Sequence, residues 1–145
     1  LERFLPPQLT GYDVAVGSRE AVGARRFDEP RVRHLMGRLF NAMTRALAVP
    51  GISDTQCGFK CFRGDAADVL FPLQRIPGFG FDVEVLFLAR RIGLRLVEVP
   101  IDWYYGVESK VRPLRHGLGM VRDILRVRWY AMRGRYGDLN HPPGP

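Results

Sequence analysis

The sequence predicts an α/β fold, in which short apolar strands alternate with amphipathic helices and part of a sheet is covered by helices. Three observations carry this reading. A chain of 145 residues is long enough for one packed core and too short for two ordinary ones. With 46% apolar, 26% charged and 11% aromatic residues, it has the composition of a globular protein and not of a disordered, collagen-like or disulfide-scaffold chain. Segments of strand-like apolar pattern alternate with segments of helical period, leaving room for four or five strands at most.

After a Pro6-Pro7 to Gly11 loop, Asp13 to Arg19 reads as a short buried strand that runs into a Gly17-Ser18 turn. Pro30 suits the first turn of a helix to about Ala48, with an apolar stripe at Leu35, Leu39, Met43 and Leu47 and with Met36 and Phe40 beside it. Pro50-Gly51 ends that helix. Ile52 to Phe62 alternates as a strand would, and Asp65 can cap a short helix through about Leu70. A helix over Asp82 to Ile92 places Val85, Leu86, Leu88 and Ala89 inward and stops at Gly93. Arg95 to Tyr105 reads as a strand. A final helix, from about Gly117 to Arg133, aligns Leu118, Val121, Leu125, Trp129 and Met132 on one face and Arg115, Arg122, Arg126 and Arg133 on another. Asn140 to Pro145 read as a frayed polar end.

The charge is uneven. Of 22 lysines and arginines only Lys60 and Lys110 are lysines, and nearly all of the net +7 lies in residues 112–135, where seven arginines face one acid, Asp123. Apolar runs are broken by Arg, Asp or Glu before they reach the length a bilayer demands, and Leu1-Glu2-Arg3 opens no signal peptide. Cys57 and Cys61 match no zinc or redox spacing and read as free thiols in a reducing compartment. His34, His116 and His141 have no spacing that suggests a metal site or a triad.

Four strings could carry chemistry. Asp54-Thr-Gln-Cys-Gly-Phe-Lys60 packs two ionisable groups, two polar side chains and a glycine into seven residues; by periodicity alone it is a polar strand end with Asp54 and Lys60 paired elsewhere. Asp82 and Glu84 open a helix, where carboxylates commonly cap and oppose the dipole. Trp103-Tyr-Tyr-Gly-Val-Glu-Ser-Lys110 is an aromatic strand end followed by a loop with one lysine. Arg19, after the Gly-Ser turn, and Arg33, on the next helix, could converge on one phosphate, which guanidinium binds in a planar fork. Each is otherwise a surface ion pair.

Taken together, Gly17-Ser-Arg19, Arg33-His-Leu-Met-Gly-Arg-Leu-Phe-Asn41, Asp54 to Lys60, Phe81-Asp-Val-Glu84, Glu98-Val-Pro-Ile-Asp-Trp103 and Ser109-Lys110 resemble the dolichyl-phosphate β-glucosyltransferases, in order and with similar spacing, over residues 11 to about 130. The resemblance implies a family 2 glycosyltransferase with a GT-A fold, transferring glucose or a related sugar from a UDP-sugar to a polyprenyl phosphate with inversion. It implies that Arg19 and Arg33 clamp the acceptor phosphate and that Lys110 reaches the donor diphosphate. Asp54, Asp82 and Glu84 would border the sugar as the catalytic carboxylates, with Ser18, Gln56, Lys60 and Trp103 in support and Lys60 holding Asp54 in place.

The family pattern begins earlier than Leu1, with a nucleotide-binding strand and an Asp-x-Asp motif that holds a divalent metal, Mg or Mn. No Asp-x-Asp occurs in these residues. The expectation is therefore the acceptor-side, C-terminal part of a GT-A domain over 1–135, with its metal ligands elsewhere, no independent activity, and a partner chain possible for the missing half. Residues 112–135 are expected to form a basic amphipathic helical segment and 136–145 a flexible tail. A lipid acceptor implies a peripheral position on an anionic, cytoplasmic membrane face, which the arginines suit. The same basicity also fits a nucleic-acid-binding module, and an unpaired sheet edge fits a non-catalytic assembly subunit.

Overall fold

In a computed structural model, which describes residues 2–105 and 113–139, the chain is mixed α/β with a mixed sheet flanked by helices. The central strand is β1 (Val14–Ser18), whose five residues are all buried. On one side β3 (Lys60–Phe62) pairs with it antiparallel, Val14 opposite Phe62; on the other β4 (Leu96–Pro100) runs parallel, Val16 opposite Glu98. A second sheet joins β2 (Arg25–Phe27) to β5 (Asp102–Tyr104) in parallel. The helices are α1 (Arg31–Leu47), α2 (Gly64–Leu73), α3 (Phe81–Arg91) and α4 (Pro113–Met132), with 3-10 turns at Glu2–Phe4 and Gly78–Gly80.

The core lies between the three-stranded sheet and helices α2, α3 and α4. It joins Val14 and Val16 to Leu70, Ile76, Leu86, Leu88, Ile124 and Val127. Helix α3 buries Val85, Leu86, Leu88 and Ala89 as its period predicts, and the chain leaves it through Gly93 at φ +80°, the left-handed conformation that favours glycine. A smaller cluster of Phe4, Ala15 and Val99 packs at the sheet's other face.

Six expectations are corrected. Ile52 to Phe62 is strand only at Lys60–Phe62; the stretch before it is a looped segment that buries Ile52, Asp54, Thr55 and Cys57. The predicted strand over 95–105 is split between two sheets, because Pro100 brings no N–H to a ladder and Ile101 hands the chain over to the second pair. Helix α1 packs Phe40, Met43 and Leu47 against the core as expected but turns Leu35 and Leu39 outward, and its most buried residues are Asn41 and Thr44. On α4, among the described residues, the buried ones are Asp123, Ile124 and Val127, while Leu125, Trp129 and Met132 are exposed. Helix α2 has no side-chain cap; Asp65 sits inside its first turn. Tyr136, assigned to the tail, is buried in the core. Lys110 and residues 140–145 lie outside the described residues.

Candidate functional site

The site begins at the C-terminal end of β1. Gly17 is there because the chain approaches closely: a methyl group on it would meet Cys57 Sγ at 3.1 Å and the Phe59 carbonyl at 3.2 Å. Gly17 N–H donates to that carbonyl, tying the 53–59 loop to the strand. Ser18, fully buried, turns the chain with its hydroxyl oxygen, which accepts from the N–H groups of Glu20 and Ala21.

That turn aims Arg19 at Asp54. The backbone N–H of Arg19 and its Nε both donate to Asp54 Oδ2, at 2.9 and 2.7 Å, and Nη2 donates to Oδ1 at 2.8 Å. Asp54 is wholly buried. Burial alone would raise its carboxyl, yet the Arg19 guanidinium holds it below the ordinary carboxylate value; burial opposes the charge of Arg19 too, and Asp54 still raises it. The loop carrying Asp54 is itself held by Glu98 of β4, whose carboxylate accepts from the N–H groups of Ser53 and Asp54 at 2.9 and 3.0 Å.

Arg19 also stacks its guanidinium over Trp103, 5.4 Å from the ring centroid. Arg33 of α1 stacks over Tyr105 at 5.0 Å, and the Trp103 and Tyr105 rings lie 6.0 Å apart. Residues two apart on an extended segment share a face, so Trp103 and Tyr105 make one aromatic row with an arginine on each ring. This row joins the two arginines that the sequence paired. Behind it, Arg26 donates to the Arg19 carbonyl at 3.1 Å and pairs with Glu20 and Glu29. Thr55 Oγ1 and Gln56 Nε2, beside Asp54, are buried and have no partner among the described residues.

The other carboxylates fall elsewhere. Lys60 pairs with Asp82 at 2.7 Å and with the Cys57 carbonyl, so it does not hold Asp54. Glu84, wholly buried, accepts from the amides of Arg75 and Ile76 at 3.0 and 2.8 Å and from the Tyr136 hydroxyl at 2.6 Å. Burial and that carboxylate push the Tyr136 hydroxyl far up, so it stays protonated and donating. Glu84 therefore staples the 75–76 segment and Tyr136, beyond the end of α4, to α3, and it leaves the set of groups that could face a sugar. Burial likewise raises the Cys57 thiol. Among the described residues no three His, Cys, Asp or Glu side chains are placed to hold a metal ion, and no helix is long and apolar enough to cross a membrane.

Sequence reasoning missed Glu98 as the loop's anchor, Tyr105 as the second ring and Tyr136 as Glu84's donor. Two-residue spacing in Trp103-Tyr104-Tyr105 signals the second; nothing local signals the others, since their partners lie 44 and 52 residues away.

The chain is 36% identical over 103 residues to a dolichyl-phosphate β-glucosyltransferase of Dictyostelium discoideum, covering 71% of this chain and 32% of that protein. It is 32% identical over 137 residues to the dolichyl-phosphate β-glucosyltransferase of Homo sapiens, covering 91% of this chain and 41% of that protein. It is 37% identical over 118 residues to glycosyltransferase AglD of Haloferax volcanii, covering 81% of this chain and 19% of that protein. The chain thus spans less than half the length of these curated relatives. No protein-family model matches it.

Proposed function

Because the chain is dolichyl-phosphate β-glucosyltransferase-like over most of its length, we propose that it is the acceptor-side part of an inverting, family 2 glycosyltransferase of GT-A fold. The reaction transfers glucose or a related sugar from a UDP-sugar to a polyprenyl phosphate at a membrane surface. One observation carries the reading: Arg19 and Arg33 stacked on adjoining rings of a single aromatic row.

A polyprenyl phosphate is already an anion near neutral pH, so its transfer calls for charge compensation and alignment more than for a strong base. One phosphate oxygen attacks the anomeric carbon from the side opposite the diphosphate, the new C–O bond forms, and the bond to the nucleotide diphosphate breaks. Asp54 uses Nε and one Nη2 hydrogen of Arg19, which leaves Nη1 to meet a phosphate oxygen. Arg33 closes on the same phosphate from α1. Asp54 is then a positioning residue, since a carboxylate held below its ordinary pKa is a poor base. Trp103 and Tyr105 keep both guanidiniums in place. Asp82, steadied by Lys60, borders the sugar, and Lys110 steadies the leaving diphosphate.

A divalent metal, Mg or Mn, is expected of such an enzyme. Asp54, Asp82 and Glu84 are engaged by Arg19, Lys60 and Tyr136, so these carboxylates do not fit as its ligands and no step is routed through them. On this reading residues 1–135 act with nucleotide-binding residues supplied by the rest of the enzyme, at the cytoplasmic face. The glycosyltransferase names of the relatives support this reading over a nucleic-acid-binding module.

The test is an assay of the full-length protein with radiolabelled UDP-glucose and dolichyl phosphate. Label in an organic-soluble, mild-acid-labile lipid is the expected result. A folded protein that binds UDP-glucose and gives no such lipid would overturn the reading.

A further inference from the structure

Helix α1 carries, besides Arg33, two arginines to which the proposed reaction gives no role. Arg38, Asn41 and Arg45 line a pocket of about 170 Å³ with Glu20 and Ser53. That is below the roughly 300–1,000 Å³ of sites for drug-sized ligands and suits one phosphate with a small substituent. Arg38 and Arg45 have no acidic partner among the described residues, while Glu20 is already paired with Arg26. Asn41, only 6% exposed, lines the pocket between them, and its buried Oδ1 has no partner among the described residues.

The pocket is not the Arg33 face. Arg38 lies five positions after Arg33, which sets them about 140° apart around the helix. Beside the pocket arginines, about 60–140° round, runs an apolar ridge of Leu35, Leu39 and Val32. These three side chains are 71%, 73% and 72% exposed. The helix has no acidic residue. An apolar ridge flanked by arginines without an acidic partner, on a helix that has no acid of its own, complements an anionic lipid surface.

We infer that the Arg38–Asn41–Arg45 pocket binds the phosphate headgroup of an anionic membrane lipid, while Leu35, Leu39 and Val32 enter its acyl region. The headgroup phosphate meets the two arginines, which bind it by charge-assisted hydrogen bonds. This deepens the reading of the protein as one that works on a lipid acceptor, and it assigns a bystander lipid to a site separate from that acceptor.

The experiment titrates detergent-solubilised full-length protein with phosphatidylglycerol, phosphatidylcholine or inorganic phosphate and reads the melting temperature, because a ligand of the folded state raises it. Phosphatidylglycerol should stabilise and phosphatidylcholine should not. Arg38→Gln/Arg45→Gln should raise the phosphatidylglycerol concentration for half-effect about tenfold, with an unliganded melting temperature near that of wild type, since both sites are exposed. Leu35→Ser/Leu39→Ser should weaken the lipid effect as well. Arg75→Gln/Arg91→Gln, the same loss of charge on exposed sites elsewhere, should leave it unchanged. An equal loss in that control, or stabilisation by inorganic phosphate as strong as by the lipid, would overturn the inference. No polyprenyl phosphate is present, so failure here leaves the glucosyl-transfer assay standing, and failure there leaves this result standing.

Discussion

Asp54 and Glu84 are both buried carboxylates, and their neighbours give them different work. Asp54 holds a guanidinium that stacks on Trp103 and keeps 19% of its side chain exposed, whereas Glu84 holds two backbone amides and a phenol. Glu84→Ala leaves all three donors unpaired and should cost about 3–5 kcal/mol, read as a fall in the urea midpoint. Tyr136→Phe removes one donor and should cost about 1–3 kcal/mol. For Asp54 the folded carboxyl lies below its ordinary value. Its ion pair therefore stabilises the fold above the unfolded carboxyl's pKa of about 3.9, and that contribution is lost as pH falls through the lower folded value. Acid titration of the urea midpoint should fall more steeply for wild type than for Asp54→Asn; parallel curves would contradict the pairing.

At the scale of elements, periodicity found the helices and misjudged which way two of them face. Helix α3 is apolar on several sides and is buried accordingly, so Leu86→Ala should cost about 2–5 kcal/mol by chemical denaturation. Helix α1 buries Asn41 and Thr44 while Leu35 and Leu39 face out, an arrangement that no hydrophobic period announces, because the pattern marks an apolar stripe and not what covers it. Leu35→Ser should accordingly change stability by no more than about 0.5 kcal/mol. The loop of residues 52–59 was legible as chemistry and illegible as structure. Its alternation imitates a strand, but Asp54 and Ser53 give their N–H groups to the Glu98 carboxylate and not to a neighbouring strand. Such a side-chain anchor is written 44 residues downstream, beyond any local window.

Over the whole molecule, the net charge of +7 resolves into separate uses. Arg19 and Arg33 stand on the aromatic row, Arg38 and Arg45 open on the α1 pocket, and Arg126, Arg133 and Arg135 stack on Tyr130 and Trp129 of α4. The motif strings were readable in the sequence because they keep their order and spacing; the row that unites Arg19 with Arg33 was not, since it arises only when β5 is placed between them. The most direct test follows from that row. In the full-length protein, Arg19→Gln and Arg33→Gln are compared with wild type for the apparent KM of dolichyl phosphate and the affinity for UDP-glucose. Each variant should raise the KM for the lipid phosphate by about tenfold or more, roughly 1.4 kcal/mol of lost contact, and leave UDP-glucose binding within about twofold. Equal losses on both substrates, or an unchanged lipid KM, would contradict the assignment of this row to the acceptor phosphate.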